Sequence, residues 1–293
     1  MKISPSISPT QLDTWTDCRL KWRWGREYYP LRRSAALDLG IGLHEALASY
    51  YTDVMQGYNS GNSLVEYFSA WADEQLAALD SDSFSHDDDL KSLVEIRTLG
   101  IAMLEGYTKF YAKDDFEVLA VEETVTRQLP GTDWEVEGRL DAIIRVGGGY
   151  MHGVYVLEHK SFSQLDTEHL NRDHQFVAES WLAESLEFGP VRGVLYNGLR
   201  KQIPSPRVKN PLFERHHIEV NGAQVKHWLR RCKSMHDALT RGKLAIYPEP
   251  STMKCRFCQF KSPCTEYMRG GDSQFLLDTL FTTREERNGH HDD

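Results

Sequence analysis

Two parts of this sequence combine side chains whose types and spacing could do chemistry. The first is Val156-Leu157-Glu158-His159-Lys160, in which Glu158 and Lys160 stand two residues apart. Alternate side chains of a β-strand share a face, so a carboxylate and an ammonium would project together from the end of an apolar strand. Asp141 interrupts an apolar segment upstream and comes near Glu158 if the two strands pair as a hairpin. The alternative interpretation of the Glu-x-Lys pair is a surface salt bridge.

Two carboxylates and a lysine at a strand end suit the hydrolysis of phosphodiesters. Carboxylates hold Mg²⁺, which prefers oxygen ligands. Such an ion polarises a phosphoryl oxygen and generates a nucleophilic water. The lysine would orient that water or stabilise charge in the transition state.

The second part is a C-x2-C-x5-C segment formed by Cys255, Cys258 and Cys264. Three thiolates so close together indicate a metal site, and both iron–sulfur clusters and structural zinc commonly use four. Cys232 lies on the apolar stripe of a predicted helix, which is typical of a core residue. Cys18 lies among polar and basic residues, so we assign the fourth ligand to Cys18. The spacing leaves zinc and iron–sulfur both open.

The elements that must position these residues form an α/β arrangement. Helices come first, then an antiparallel three-stranded meander, a helix, two strands and a last helix. The predicted helices cover 8–29, 64–79, 90–111, 167–187 and 222–241, together with one that starts near residue 38. The predicted strands cover 117–129, 134–146, 151–161, 191–201 and 213–220, and an acidic loop is predicted at 80–89.

Asp141 in GRLDAI, followed after a turn by Glu158-His159-Lys160, resembles the core of the PD-(D/E)XK nucleases. His44 in GIGLHEAL resembles the metal-binding histidine of the RecB-like branch, which includes CRISPR-associated nucleases. Gln175 is similar to the glutamine that opens the Q-x-x-x-Y motif of that branch, although Glu179 stands in place of its tyrosine.

The resemblance implies a restriction-endonuclease-like fold, with a central mixed sheet flanked by helices, a helical N-terminal region and a Cys-rich C-terminal segment. It implies that His44, Asp141 and Glu158 bind Mg²⁺ or Mn²⁺, together with the backbone carbonyl of His159. Lys160 and Gln175 would be catalytic, together with Asp141 and Glu158. The alternative for His44 is a packed core histidine, because its spacing from neighbouring apolar residues is helical.

The cysteine pattern is similar to that of CRISPR-associated and AddB-like nucleases, which have one cysteine near the N-terminus and three near the C-terminus. That resemblance implies a [4Fe–4S] cluster on Cys18, Cys255, Cys258 and Cys264, and zinc is the rival. We expect a structural role, in which the cluster holds the N-terminal helix on the nuclease core.

The sequence predicts one nuclease domain over 1–270, with a mainly helical part at 1–112, a core at 113–245, a cluster-binding segment at 246–270 and a polar tail at 271–293. We expect a cytoplasmic DNA exonuclease, and the alternative is a non-catalytic DNA-binding or recombination and repair subunit. The net charge of −9 does not exclude DNA, because a nuclease needs positive charge only along its groove. Candidate DNA contacts are Arg19, Arg23, Arg200 and Lys201.

The sequence has no Walker A motif, so any helicase or recombination partner would be a separate protein. The oligomeric state and the polarity of cutting are not indicated by any residue pattern.

Overall fold

The computed structural model describes residues 6–58, 63–81, 87–112, 114–242 and 245–283. Its helices are α1 (Pro9–Asp17), α2 (Arg19–Glu27), α3 (Ala35–Met55), α4 (Ser63–Ser81), α5 (Asp87–Phe110), α6 (Thr167–Leu170), α7 (His174–Ala183), α8 (Gly222–Thr240), α9 (Thr252–Arg256), α10 (Lys261–Arg269) and α11 (Ser273–Leu280). Its strands are β1 (Ser6–Ile7), β2 (Tyr28–Pro30), β3 (Phe116–Gln128), β4 (Glu135–Val146), β5 (Gly153–Phe162), β6 (Val191–Arg200), β7 (Phe213–Glu219) and β8 (Phe281–Thr283).

The chain divides into two compact units, each built from several segments. Unit 1 comprises Met1–Arg33, Gln128–Val136 and Leu229–Asp293. Unit 2 comprises Ser34–Arg127 and Glu137–Trp228. The single domain over 1–270 stays a prediction.

Unit 2 contains a mixed sheet. β5 is antiparallel to β4 and parallel to β6, and β6 is antiparallel to β7. β3 also pairs with β4. The prediction of an α/β fold with a central mixed sheet flanked by helices is confirmed.

Helices cover both faces of the central strands of unit 2. Tyr155 and Leu157 of β5 belong to the same buried core as apolar residues of α3, α4 and α5. On the opposite face, Phe176 of α7 lies 6.2 Å from Tyr196 of β6, measured between ring centroids. Because both faces are covered, β5 and β6 are almost continuously buried, and a polar residue at a buried position of either strand needs a hydrogen-bond partner.

A glycine allows α3 to pack closely on α4. Ser34 caps the N-terminus of α3 by accepting a hydrogen bond from the backbone of Leu37. A Cβ atom added at Gly42 would lie 2.4 Å from the ring of Trp71 on α4. The same addition at Gly40 would meet only the Oγ of Ser161, at 3.9 Å.

The helix predicted over 8–29 is wrong in its continuity. Ser8 does cap its start, as expected, but the chain breaks into α1 and α2 at Cys18, whose backbone is extended. The sulfur of Cys18 accepts a hydrogen bond from the backbone of Lys21 at 3.5 Å. Cys18 therefore ends one helix and caps the next, which helical periodicity alone does not reveal.

The segment predicted as a polar tail, 271–293, contains regular structure as far as it is described. α11 and β8 lie within it, and β8 pairs antiparallel with β2. Leu277 and Phe281 are buried in the core of unit 1 with Leu20, Trp24 and Phe260, and this burial accounts for the order. Residues 284–293 lie outside the described residues.

Two further predictions differ from the structure. The helix predicted over 167–187 is interrupted, because Asp173 accepts a hydrogen bond from the backbone of Gln175 and starts α7 anew. The acidic loop predicted at 80–89 is shorter, since α4 extends to Ser81 and α5 begins at Asp87; residues 82–86 lie outside the described residues.

Within the described ranges, every helix is too short or too polar to cross a membrane.

We predict opposite effects of two alanine substitutions on α3. Gly42→Ala should lower the free energy of unfolding by about 1–3 kcal/mol, because its methyl group overlaps Trp71. Gly40→Ala should raise it by up to about 1 kcal/mol, because the helix gains a better helix former without a clash. Urea unfolding of both variants measures this, and equal stability of the two would contradict the close packing of α3 on α4.

Candidate functional site

The end of β5 carries an ion pair that is mostly withdrawn from water. Glu158 is buried, and its Oε1 lies 2.5 Å from the Nζ of Lys160. Both side chains project from the face of the sheet that α7 covers, as the alternation of the strand predicts. A surface salt bridge, the alternative interpretation, is excluded by the 3% exposure of the Glu158 side chain.

Gln175, in the first turn of α7, connects both members of this pair. Its amide nitrogen donates to Glu158 at 2.8 Å, and its amide oxygen accepts from the Nζ of Lys160 at 3.1 Å. The same nitrogen donates at 2.6 Å to Glu179, one helical turn further along. The structure therefore brings Gln175 into direct contact with the residues that sequence reasoning grouped with it.

Glu179 is a site residue whose role sequence reasoning missed. It is buried, and its Oε2 has no hydrogen-bond partner among the residues that the structure describes. Burial and the nearby charge of Glu158 raise its pKa well above the usual range. The signal in the sequence was a glutamate within the otherwise apolar segment of α7.

Asp141 lies where β4 and β5 stop pairing. The last paired residues are Ala142 and Leu157, and beyond them the Oδ2 of Asp141 accepts the backbone N–H of His159 at 2.8 Å. The Oδ1 of Asp141 lies 3.2 Å from the Nδ1 of His44 on α3. One carboxylate thus contacts both β5 and α3.

The electrostatics differ between the two carboxylates. Burial, and secondly the charge of Asp141, raise the pKa of Glu158 to about 7. Burial alone would also raise the pKa of Asp141, but the hydrogen bond and charge of His44 outweigh it, so that this pKa falls below its usual range.

Burial would lower the pKa of Lys160, yet Glu158 and Glu179 together raise it. In His44, the contact with Asp141 outweighs burial and raises the pKa.

His159 points away from this pair, as its position between Glu158 and Lys160 predicts. Its ring is stacked on Tyr51 of α3, with centroids 5.4 Å apart, and its Nδ1 lies 2.8 Å from the amide nitrogen of Asn197. Since that nitrogen donates, the Nδ1 of His159 accepts. Burial lowers the pKa of His159 to about 3, so the ring is neutral.

Behind His159, a buried polar network joins four elements of the fold. Arg215 of β7 donates to the side-chain oxygen of Asn197 at 3.0 Å and to Asp114 at 2.6 Å. It also donates to the hydroxyls of Tyr51 and Tyr107, which lie 2.9 Å from each other. Sequence reasoning missed this network, and Asn197 within apolar β6 was its signal.

A cavity of about 630 Å³ lies beside His44. Eight residues of α3 form one wall, and Glu122 of β3 and Arg139 of β4 complete the lining. His44 lines the cavity and also contacts Asp141, so it lies between the cavity and that carboxylate.

In unit 1, all four predicted cluster ligands line one cavity of about 210 Å³: Cys18, Cys255, Cys258 and Cys264. The backbone of Glu249 donates to the sulfur of Cys18 at 3.4 Å, and the backbone of Ser251 donates to that of Cys255 at 3.3 Å.

Cys232 does not line this cavity. It is completely buried, and burial raises the pKa of its thiol to about 12. The structure therefore separates Cys232 from the other four cysteines, and the assignment of Cys18 as a cluster ligand stays a prediction.

Neither group of side chains is arranged as a finished metal site. Among the described residues, no three His, Cys, Asp or Glu side chains are placed so that they could hold a metal ion. In unit 2, each carboxylate is instead engaged by a neighbouring side chain: Glu158 by Lys160 and Gln175, and Asp141 by His44.

Three of the four candidate DNA contacts interact with other parts of the chain. Arg19 lies over the rings of Trp15 and Tyr247, and Arg23 pairs with Glu27 at 2.7 Å. Arg200 donates to the backbone of Ser163 and Pro211, 2.8 Å away in each case, and its side chain is 12% exposed. Half-burial lowers the pKa of Lys201. Contact of these four residues with DNA stays a prediction.

We predict that Glu158 makes the metal-free protein less stable as the pH rises. Its pKa is about 7 in the folded protein, against 4.5 as the ordinary value, so the folded protein holds a proton that the unfolded chain has lost between these values. The contribution of Glu158 to stability is therefore largest below pH 4.5 and is lost by the time the pH exceeds 7.

Glu158→Gln removes this dependence. In urea unfolding with EDTA, wild type should lose on the order of 2 kcal/mol relative to Glu158→Gln between pH 5 and pH 8. Parallel curves for the two proteins would show that Glu158 titrates normally.

Comparison with known proteins identifies the chain's family. The sequence model of the PD-(D/E)XK nuclease superfamily matches residues 6–265, a range that includes the carboxylates, His44, Lys160 and the cysteines. Among curated proteins there is no match. With the mixed sheet and the site at the end of β5, this match over most of the chain shows that the protein belongs to the PD-(D/E)XK superfamily of metal-dependent nucleases, which hydrolyse phosphodiester bonds.

Proposed function

We propose that the protein is a DNA exonuclease of the RecB-like type, with its active centre at Asp141, Glu158 and Lys160. The observation that carries the proposal is the buried contact between Glu158 and Lys160, with Asp141 close enough to raise the pKa of Glu158. Two carboxylates held out of water so close together favour the binding of positive charge.

Asp141, Glu158 and His44 are of the residue types that bind a divalent cation, and they would turn from their present partners to hold one. Asp141 and Glu158 would supply carboxylate oxygens and His44 an imidazole nitrogen, and both ligand types suit Mn²⁺, with the oxygens suiting Mg²⁺. The N–H of His159 faces Asp141, and the carbonyl of a strand residue leaves on the same side as its N–H, so this carbonyl is available as a further ligand. When bound, the ion supplies Lewis acidity and lowers the pKa of a coordinated water.

The contacts of Lys160 support a catalytic role for it. Its Nζ is fixed by Glu158 and by the amide oxygen of Gln175. An ammonium held in this way can orient the attacking water and stabilise the charge that develops on the phosphoryl oxygens. Hydrolysis adds the water oxygen to phosphorus and breaks one ester bond, and the departing oxygen takes up a proton.

Gln175 positions the side chains of Glu158 and Lys160. Its amide nitrogen donates to both Glu158 and Glu179, while its oxygen accepts from Lys160. These hydrogen bonds keep the side chains of Glu158, Lys160 and Gln175 in one relative arrangement. The tyrosine of the RecB-like motif is replaced by Glu179, whose hydrogen bond to Gln175 fixes the amide in this orientation.

An exonuclease agrees best with the sequence, which contains nothing that resembles a base-reading module. The main alternative is a DNA-binding or recombination subunit without catalysis. The presence of Asp141, Glu158 and Lys160 in mutual reach argues for the enzyme, because a binding subunit has no need to bury this ion pair.

We also propose that Cys18, Cys255, Cys258 and Cys264 hold a [4Fe–4S] cluster. All four cysteines line one cavity of about 210 Å³, which has room for a group of several atoms, and the cysteine pattern resembles that of nucleases with a cluster. Three lysines (Lys21, Lys254 and Lys261) and two acids (Asp17 and Glu249) also line it, and Lys254 pairs with Asp17. Backbone N–H groups that donate to sulfur are a further feature of cluster sites.

Lys160→Ala should reduce cleavage of end-labelled DNA in Mn²⁺ by about 10²–10³-fold, as expected when one group that stabilises the transition state is removed. Lys226→Ala is the control, because Lys226 is an exposed lysine on α8. Linear substrates with blunt ends and overhangs should be degraded, whereas covalently closed circles should survive. Wild type that cuts no DNA, like Lys160→Ala, would contradict the enzyme, and cleavage of the circles would contradict exonuclease action.

Cys18→Ala should abolish iron binding, whereas Cys232→Ala should retain it. Protein purified without oxygen should contain roughly four iron and four sulfide per chain and absorb visible light. Equal loss of iron in both variants would contradict the choice of Cys18. Zinc in place of iron in the wild type would contradict the cluster.

A further inference from the structure

The rim of the cavity beside His44 carries an ion pair that the proposed chemistry does not use. Arg139 of β4 and Glu122 of β3 both line this cavity, and the Nε of Arg139 lies 2.9 Å from the Oε2 of Glu122. The remaining lining residues all belong to α3 and include no lysine or arginine. Arg139 is thus the one permanently charged cation on the described wall of the cavity.

The position of Arg139 relates it to the active centre. Arg139 and Asp141 are two residues apart on β4, so their side chains leave the strand on the same side. Asp141 contacts His44, and His44 lines the cavity with Arg139. A group bound by Arg139 would therefore lie next to the proposed centre.

Glu122 has a strained backbone that directs its side chain. Its φ of 52° is in the left-handed region, which is uncommon for a residue with a side chain and costs free energy in the middle of a strand. Such an irregularity in a strand redirects a side chain. Here the redirected carboxylate meets Arg139 at the cavity.

The exposure of the pair indicates that it can be exchanged. The Arg139 side chain is 68% exposed, and an ion pair in contact with water contributes little to stability. A guanidinium matches the geometry of a phosphate through two parallel hydrogen bonds. A phosphate group can therefore reach Arg139 from solvent and replace Glu122, whose side chain is 29% exposed, as its partner.

We propose that Arg139 is a phosphate-binding residue that holds the DNA strand in this cavity, and that Glu122 pairs with it until DNA arrives. This inference rests on the proposed DNA nuclease function and adds the subsite next to the scissile bond. The carboxylate of Glu122 keeps the guanidinium pointed into the cavity and competes with DNA for it.

The test measures binding of a fluorescent single-stranded oligonucleotide in EDTA, by fluorescence anisotropy over a series of salt concentrations. Loss of one phosphate contact lowers the slope of log K against log salt by about 0.7, which is roughly a tenfold loss of affinity at 50 mM salt. Arg139→Gln should show both effects. Glu122→Gln should bind more tightly than wild type, and the double variant should bind as Arg139→Gln does.

Arg97→Gln is the matched control. Arg97 is a partly exposed arginine of unit 2, with 38% of its side chain accessible, and its Nε lies 3.0 Å from Asp73, so it forms the same kind of pair away from the cavity. It should bind DNA as wild type does. Arg139→Gln that binds like Arg97→Gln, with an unchanged slope, would overturn the inference.

Cleavage assays on the same preparations separate this result from the nuclease proposal. If wild type and Arg97→Gln cut DNA while Arg139→Gln binds normally, only the Arg139 subsite is wrong. If wild type neither binds nor cuts DNA, both proposals are wrong.

Discussion

The burial of Glu158 beside Asp141 is the constraint on which the site depends. Two carboxylates withdrawn from water repel each other, and each also loses hydration. The fold offsets this cost with a lysine on the same strand face, an imidazole from α3 and an amide from α7. These contacts offset only part of the cost of burying the Glu158 carboxylate, because the pKa of Glu158 still rises to about 7. A bound divalent cation would offset the remaining repulsion between Asp141 and Glu158. The burial that makes the metal-free site costly is thus the same feature that would favour metal binding.

The strand that carries these residues is fixed from two sides. At its edge, Asp141 accepts the N–H of His159. On the face toward α3, the ring of His159 is held by Asn197 and Tyr51, and Arg215 closes the network behind them. Glu158 and Lys160 flank His159 in sequence, so whatever fixes His159 also fixes their direction. Such supporting contacts commonly determine the precision of a site as much as the ligands do.

Local patterns in the sequence were enough to predict some of this arrangement. A period of two placed Glu158 and Lys160 on one face, and a period near 3.6 identified Cys232 as a core residue. Contacts between distant segments could not be predicted in this way. Asp114 and Arg215 meet across 101 residues, and nothing near either one specifies its partner. The break at Cys18 was missed for a different, local reason. Cysteine is not among the residues preferred at a helix N-cap, so nothing in the sequence indicated that a new helix starts there.

Metal binding between the buried carboxylates is the central claim, and crystals grown with Mn²⁺ test it most directly. Anomalous diffraction should give a strong peak bordered by Asp141, Glu158 and His44, with the Asp141 and Glu158 side chains turned toward it. The same crystals of Asp141→Asn should lose the peak or show it greatly weakened. A wild-type crystal with no manganese at this position, and with Glu158 still paired only to Lys160 and Gln175, would contradict the account.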